Sequence, residues 1–227
     1  MREICKNVWD NYDQADLATY TNDISIISEK AEPLAKAYSE AAAQVESTAW
    51  PARGKRLVSS AVEALRERAA VMEEVSRATT LDQYSAIIEK YKGEKWDDFV
   101  ELREMFGVKA PASMEAIEIL ELKQGDAYGD YAGISFTVKN NLPIIVKEIY
   151  VDFNIQDADG NILDSGQGAS NPIHLQMGAT VPVESTVKAQ YVQQNNVVVP
   201  VKCTFVNEKD EFMDFDYDSN NLKKLPL

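Results

Sequence analysis

The residue types that carry most enzymatic chemistry are scarce in this chain of 227 residues. His174 is its single histidine. A Ser-His-Asp or Cys-His mechanism would have to use this one residue, and zinc sites with two or more imidazole ligands are excluded. His174 lies in a strand-like segment after Pro172, where we expect a structural or surface role. The sequence therefore predicts no catalytic residue.

The two cysteines, Cys5 and Cys203, lie near opposite ends of the chain. Their spacing matches no metal-binding or redox motif. We expect two buried thiols that pack as small hydrophobic residues. A disulfide between the chain ends is the alternative.

Acidic side chains form two clusters that resemble calcium-binding sequences. Asp214, Asp216 and Asp218 alternate with aromatic residues and would share one face of a strand, while Asp126 and Asp130 flank a Gly/Tyr loop. Calcium takes six to eight oxygen ligands, and alternate residues of a strand lie about 7 Å apart. We therefore expect solvated acidic surfaces and no cofactor, with calcium binding at these five residues as the alternative.

Two further motifs contain the glycines or the basic residues that phosphate-binding sites use. Gly166-Gln167-Gly168 lacks the third glycine and the following helix of a dinucleotide-binding fingerprint, so we expect a loop. Arg53-Gly54-Lys55-Arg56, beside Trp50, is the one basic cluster. It is typical of the polar tip of a helical hairpin that contacts nearby carboxylates, and contact with phosphate or an acidic partner is the alternative.

The overall charge limits the partners of the chain. It has 23 basic and 37 acidic residues, a formal net charge of -14. Such a surface repels phosphate backbones and anionic lipid, so we expect no nucleic-acid partner. No apolar run approaches the roughly 18 residues of a membrane span. A protein partner is the remaining expectation.

Composition changes near residue 110 and predicts two domains of an α+β protein. Residues 1–110 favour helices, and residues 111–227 favour alternating strands. Lys109-Ala110-Pro111-Ala112-Ser113 is typical of a linker, because proline stops a helix and small residues follow.

The first domain is predicted to be an antiparallel helical hairpin or bundle. Two heptad seams are joined by a turn at Trp50–Gly54. The first consists of Leu17, Tyr20, Ile24, Ile27, Ala31, Leu34, Tyr38, Ala41 and Val45, and the second of Val58, Val62, Leu65, Ala69 and Met72. Pro33 predicts a kink or break near Ala31–Glu32. The alternative use of the seam is a coiled coil between two copies of the chain.

Two shorter helices complete this domain. Thr80-Leu81-Asp82-Gln83 fits a capping box, in which Thr80 and Gln83 satisfy free backbone N–H groups. Gly93 is expected to end this helix, and Gly107 the next one.

The second domain is predicted to be an immunoglobulin-like antiparallel β-sandwich of seven or eight strands. Alternating apolar residues and regular turn signals indicate this architecture. The expected inward residues include Ile134, Phe136, Val138, Ile149, Val151, Phe153, Ile155, Val181, Val183, Val187, Ala189, Tyr191, Val197, Val199, Val201, Cys203 and Phe205. Asp157–Asn161 is expected to form a tight hairpin turn.

Part of this domain resembles a known family. Val138-Lys139-Asn140-Asn141, followed by Phe153-Asn154-Ile155-Gln156-Asp157, is similar to the FxLYD domain and related immunoglobulin-like domains of bacterial exported proteins. Phe153 and Asp157 match the motif, whereas Ile155 and Gln156 stand where Leu and Tyr are usual. Leu175-Gln176-Met177-Gly178 resembles the later Leu-x-x-Gly turn. The resemblance implies a small β-sandwich on a lipoprotein or surface protein, without catalytic residues.

These observations together predict a non-enzymatic binding or scaffolding protein of the bacterial cell envelope. It would be the soluble part of a lipoprotein or exported protein, with a lipid anchor on a removed leader, and the alternative location is cytoplasmic. A carbohydrate- or calcium-binding accessory module is the second hypothesis, and a hydrolase is the third.

Overall fold

The computed structural model describes residues 1–93, 95–111, 114–193, 195–218 and 222–227. The chain divides into two compact units, Met1–Ser113 and Met114–Leu227. Ala112 and Ser113 of the expected linker lie outside the described residues. No helix in the described ranges is long and apolar enough to cross a membrane.

The first unit is helical. Its helices are α1 (Arg2–Thr19), α2 (Ile24–Ser47), α3 (Ala52–Val75), α4 (Leu81–Lys90) and α5 (Trp96–Met105).

The first helical break lies earlier than the sequence predicted. Asn22 adopts a positive φ of 48°, and the Asp23 side chain caps α2 by accepting a 3.0 Å hydrogen bond from the Ser25 N–H. Leu17 and Tyr20 therefore do not share a helix with the rest of the first seam. Of the kink or break predicted near Ala31–Glu32, the break is wrong, because α2 continues through Pro33, and the kink stays a prediction. Pro33 and Glu29 are exposed, so solvent can hydrate the Glu29 carbonyl that loses its donor.

Helices α2 and α3 form the predicted antiparallel hairpin. Ser28 early in α2 donates to the carbonyl of Ala78 after α3, at 2.8 Å, and Arg68 in α3 donates to the Tyr38 hydroxyl, at 3.4 Å. Leu65 lies at the centre of the core and is fully buried. Ala-rich positions let these helices approach closely.

Helix α5 covers one side of this core. Phe99 and Leu102 are buried in the same hydrophobic cluster. Trp50 packs against Phe106, with ring centroids 5.1 Å apart, and donates from Nε1 to the Val45 carbonyl at 2.7 Å. All three tryptophans of the chain lie in the helical unit.

Both predicted helix signals around α4 are present. Thr80 accepts a 3.2 Å hydrogen bond from the Gln83 N–H, and Gln83 Oε1 accepts one of 2.8 Å from the Thr79 N–H. Gly93 and Gly107 adopt positive φ angles of 62° and 71° after α4 and α5. Such angles cost glycine little.

The second unit is an antiparallel β-sheet. Its strands are β1 (Ile117–Tyr128), β2 (Tyr131–Asn140), β3 (Val146–Gln156), β4 (Ile162–Ala169), β5 (Thr180–Lys188), β6 (Val197–Asn207), β7 (Phe212–Asp216) and β8 (Leu225–Pro226). The order is β1-β2-β5-β4-β3-β6-β7, and β8 pairs with β6. Helices followed by antiparallel strands confirm the α+β composition.

The pairing is uneven along the sheet. Strand β4 joins β5 through the single pair Ala169 and Glu184, whereas β3 pairs with β4 and β6 along most of its length. Phe136 of β2 and Phe153 of β3 have ring centroids 5.3 Å apart, although β2 and β3 are not hydrogen-bonded neighbours. Side chains of non-adjacent strands therefore build the core of this unit.

The predicted loop at Gly166-Gln167-Gly168 is wrong, because these residues form part of strand β4. The glycines are needed there for close packing. A Cβ on Gly166 would lie 2.6 Å from Cζ of Phe153, and a Cβ on Gly168 would lie 3.0 Å from Cγ1 of Val183. The Phe153 ring thus lies directly over the backbone of its partner strand.

The Asp157–Asn161 turn is present between β3 and β4, with Gly160 at a φ of 87°. Two other predictions fail locally. Ala189 and Tyr191 belong to a 3₁₀ turn after β5. In β6 the register passes over Val201, which leaves Val197 and Val201 half-buried and buries Val198. Such a bulge shifts the inward face by one residue.

Candidate ligand pocket in the helical unit

A cavity of about 280 Å³ lies in the helical unit, where α1, α2, α3 and α4 meet. Four tyrosines, one arginine, one aspartate and one threonine line it together with apolar residues. These polar lining residues are Tyr12, Asp16, Thr19, Tyr38, Arg68, Tyr84 and Tyr91. A mostly apolar cavity with a few convergent polar groups is typical of a small-molecule site.

Helical spacing places the lining residues on one face of each helix. Residues three or four positions apart lie on the same side of a helix. Tyr12 and Asp16 lie four positions apart in α1, as do Leu34 and Tyr38 in α2. In α3, Arg68 shares a face with Val71, Met72 and Val75. The pocket is therefore built by the packing of four elements.

The apolar wall comes mainly from α2 and α3. It includes Ile27, Ala31 and Leu34 from α2, and Met72 and Val75 from α3. The α2 residues are nearly fully buried. This wall offers an apolar ligand a surface that is already shielded from water.

Arg68 is held by aromatic rings. Its guanidinium carbon lies 3.6 Å from the centroid of Trp96 and 5.4 Å from that of Tyr91. Trp96 is in turn fixed by Tyr38, with centroids 6.1 Å apart and the rings nearly perpendicular. Stacking on an indole stabilises a guanidinium while leaving its N–H edge free to donate.

Two buried polar atoms beside the pocket lack a hydrogen-bond partner among the described residues. They are Nε of Arg68 and the hydroxyl of Tyr91. A buried donor without an acceptor costs roughly 1–3 kcal/mol. Both atoms belong to residues that line the cavity, so a bound acceptor would recover this free energy.

The electrostatics of the pocket follow from burial. Burial raises the pKa of Asp16, and the nearby Asp13 carboxylate raises it further. Burial also raises the pKa values of Tyr38 and Tyr91, and the positive charge of Arg68 opposes both shifts. The tyrosines therefore remain protonated hydrogen-bond donors at neutral pH.

The pocket has two electrostatically different ends. Burial raises the pKa of Tyr84 and the Asp16 carboxylate raises it further, whereas Arg68 opposes the effect of burial on the pKa values of Tyr38 and Tyr91. Burial also raises the pKa of Tyr12, where Asp16 adds to the rise and Arg68 opposes it. A ligand would therefore meet a positive end at Arg68 and an acidic end at Asp16.

Only two of the three aspartates predicted to share a strand face lie in a strand: Asp214 and Asp216 belong to β7, which ends at Asp216, and Asp218 lies beyond it. Asp214, Asp216 and Asp218 are exposed and alternate with buried residues. Asp214 pairs with Lys202 at 2.8 Å and accepts a 2.7 Å hydrogen bond from Thr204. These contacts lower the pKa of Asp214 and tie it to the neighbouring strand.

Asp126 lies at the end of β1, and Asp130 lies in the turn that joins β1 to β2. Within the described ranges, no group of three or more His, Cys, Asp or Glu side chains is arranged to hold a metal ion. His174 is exposed and lies outside the strands, just before the isolated bridge at Leu175.

The basic cluster makes contacts at the start of α3. Arg56 pairs with Glu101, and the guanidinium of Arg53 lies 5.1 Å from the centroid of the Phe106 ring.

Cys5 and Cys203 are both buried free thiols, so the disulfide alternative is wrong. Burial raises the pKa of Cys5 to about 11 and that of Cys203 still further.

This pocket was not predicted from the sequence. Helix α1 was not predicted, so Tyr12 and Asp16 had no assigned position. Arg68 lies outside the predicted seam, although its neighbours Leu65 and Met72 belong to it. Arg68 lies three positions after Leu65 and therefore beside the apolar seam. This position could have indicated a pocket, because an arginine there needs either a partner or an opening to solvent.

Comparisons with known proteins give only distant similarities. No protein-family model and no curated protein sequence matches the chain. The solved structures that match include IrmA from Escherichia coli, with 13% identity over 50% of this chain and 87% of that one, and a TM-score of 0.34.

Two other solved structures match a similar share of the chain. The putative ApaA protein from Bordetella pertussis is 11% identical over 52% of this chain and 98% of that one, with a TM-score of 0.34. A CARDB domain from Pyrococcus furiosus, solved in complex with di-metal ions, is 15% identical over 49% of this chain and 87% of that one, with a TM-score of 0.26.

Proposed function

We propose that this chain is a non-enzymatic binding protein whose helical unit takes up a small, mainly apolar ligand. The observation that supports the proposal is the 280 Å³ cavity, with its buried apolar wall and inward tyrosines. Buried polar atoms without partners, Arg68 Nε and the Tyr91 hydroxyl, add a second reason to expect an occupant.

The same proposal assigns the β unit to the immunoglobulin-like sandwiches. Two hydrogen-bonded groups of strands, β1-β2-β5 and β4-β3-β6-β7, share a single backbone ladder pair, Ala169 with Glu184. The contact between Phe136 and Phe153 joins these two groups through their side chains, as in a sandwich core. The FxLYD-like residues Phe153 and Asp157 lie in this unit, and that family remains part of the proposal.

The location is proposed to be the bacterial cell envelope, with the chain as the soluble part of a lipoprotein or exported protein. The FxLYD-like sequence supports this location. The upstream codons of the native gene test it directly. A leader with a lipobox would support the envelope location, and continuous coding sequence without a leader would contradict it.

The pocket itself is tested with indole, a neutral probe of suitable size, by saturation-transfer difference NMR. Indole should bind the native protein. Val71→Trp should block binding, because Val71 lines the pocket and a larger side chain there would fill it. Ala70→Trp is the matched control, since Ala70 is the exposed neighbour in the same helix. Failure of indole to bind, or equal binding to Val71→Trp, would contradict the proposal.

A second candidate function is carbohydrate binding by the β unit. Tyr128 and Tyr131 are paired across the β1–β2 turn and are 87% and 53% exposed. Exposed aromatic rings beside Asp126 and Asp130 form a platform of the kind that sugars stack on.

Affinity electrophoresis in gels that contain soluble polysaccharides tests the second candidate. Retardation that is lost in Tyr128→Ala would support it. Ile162→Ala is the control, since Ile162 is 59% exposed at a different turn. Unretarded migration of the native protein in every gel would exclude this candidate for the polysaccharides used.

A further inference from the structure

Arg68 carries a charge that has no counter-ion among the described residues. Arg56, Arg66 and Arg77 each form an ion pair with a glutamate. Over the part of the chain that the structure describes, no carboxylate lies within 4.0 Å of the Arg68 guanidinium, which instead stacks on Trp96. An arginine fixed by an aromatic ring and facing a cavity is prepared to receive an anion.

The donors at this end of the pocket suit a carboxylate. Stacking occupies the face of the Arg68 guanidinium, and Nε at its edge is buried without an acceptor. The Tyr91 hydroxyl is a second buried group without a partner. A carboxylate has two oxygens with several acceptor positions, so it can accept from a guanidinium edge and from a hydroxyl at once.

We propose that the pocket binds an organic monocarboxylate with an apolar body about the size of one aromatic ring. This inference rests on the proposed ligand-binding function and names the chemical class of the ligand. The carboxylate accepts hydrogen bonds from Arg68 and Tyr91, and the body lies against Ile27, Leu34 and Met72. A cavity of about 150 Å³ holds a benzene ring. The 280 Å³ found here therefore adds room for a short linker and a carboxylate.

The acidic end of the pocket limits the charge of the ligand. Asp16 lines the same cavity and contributes a negative charge opposite to that of Arg68. One positive and one negative side chain accept a single carboxylate at the positive end, while a dianion would be repelled by Asp16. Phosphate esters and dicarboxylates are therefore disfavoured relative to monocarboxylates.

The test compares 3-phenylpropionate with its neutral amide, 3-phenylpropionamide, by isothermal titration calorimetry at neutral pH on the full chain. We expect the carboxylate to bind at least tenfold more tightly, because only the acid supplies a charged partner for Arg68. Arg68→Gln should remove this preference. Tyr91→Phe should weaken carboxylate binding severalfold and amide binding less, because a hydrogen bond to a charged carboxylate is stronger than one to a neutral amide carbonyl.

Arg77→Gln is the matched control, because Arg77 is exposed just after the end of the same helix and pairs with Glu73. It should bind both compounds like the native chain. Circular dichroism of each variant checks that the helices remain folded.

Equal affinities for acid and amide in the native chain, or a preference that survives in a folded Arg68→Gln variant, overturn the inference. Should Arg68→Gln lose its fold, the Tyr91→Phe titration decides in its place, and an unchanged affinity for the acid overturns the inference. If indole binds but 3-phenylpropionate does not, the ligand class alone is rejected. If neither binds, the proposed function fails as well.

Discussion

Single residues in this protein are constrained mostly by what lies directly opposite them. Gly166 illustrates this in the β unit, because the ring of Phe153 occupies the space that a side chain would need. The sequence predicted a loop at Gly166, because Gly166-Gln167-Gly168 lacks the third glycine and the following helix of a dinucleotide-binding fingerprint. The requirement of its partner strand was not visible in the local sequence, since Phe153 lies thirteen positions earlier.

Gly166→Ala is expected to destabilise the native state by about 1–3 kcal/mol, the usual cost of overpacking a core. The added Cβ would lie 2.6 Å from Cζ of Phe153. Urea denaturation gives the free energy of unfolding. Gly133→Ala is the control within another strand, where the nearest atom lies at 3.7 Å, and it should change stability little. Equal losses in the two variants would show that strand geometry, and not the Phe153 ring, is responsible.

Asp16 is expected to reduce stability at neutral pH. Its pKa is raised in the folded state, so the unfolded chain ionises first as the pH rises. Below pH 3.8, the ordinary pKa of an aspartate, the neutral Asp16 carboxyl makes its full contribution to the stability of the folded state. This contribution is lost as the pH rises through the higher pKa of Asp16 in the folded state. Asp16→Asn should therefore be more stable than the native protein at neutral pH, with the difference shrinking toward pH 4.

Thermal denaturation across this pH range measures the effect of Asp16. Asp10→Asn provides the comparison, because Asp10 lies in the same helix and is exposed in a pair with Lys6. A stability difference for Asp16→Asn that stays constant with pH would show that the carboxyl does not titrate as described.

At the level of the elements, periodicity predicted the helices and strands well, but their ends depended on capping. The α2–α3 hairpin, the Thr80 cap and the β3–β4 turn were all predictable, because each rests on residues close together in sequence. Helix α1 was missed because its apolar residues are few, with Ile4, Cys5 and Val8 at one end and Leu17 at the other. The pocket was missed with it, since three of its polar residues, Tyr12, Asp16 and Thr19, lie on α1.

Helix α2 tolerates Pro33 at a cost that a substitution should recover. Pro33 is exposed within the helix, so Pro33→Ala would restore a backbone donor without changing the core. A helix-interior proline costs about 3 kcal/mol, partly offset by the roughly 0.4–1 kcal/mol it contributes by restricting the unfolded chain. We expect a net stabilisation of about 2 kcal/mol in chemical denaturation.

Lys36→Ala on the same exposed surface of α2 is the control for Pro33→Ala, and it should change stability by no more than about 0.5 kcal/mol. A destabilised Pro33→Ala protein would mean that the proline shapes a helix curvature that the hairpin requires.

At the level of the whole molecule, the segment around residues 109–114 connects the two compact units along the chain. Lys109, Ala110 and Pro111 are exposed, and Lys109 offers trypsin a cleavage point. We expect limited trypsin digestion to cut first after Lys109 and to leave two stable fragments, identified by mass spectrometry. Lys109→Ala should delay this first cut. Early cleavage inside α3 or within the strands instead would contradict two separately stable units.

The placement of the tryptophans gives the molecule a built-in optical distinction between its halves. Trp9, Trp50 and Trp96 all belong to the helical unit, whereas tyrosine and phenylalanine are the fluorescent residue types of the β unit. Tryptophan fluorescence, excited selectively through the indole rings, therefore reports on the helical unit alone, because the β unit contains no tryptophan. Because Trp96 stacks on the arginine of the pocket, quenching or recovery of its emission would also signal occupancy in real time, without an added dye.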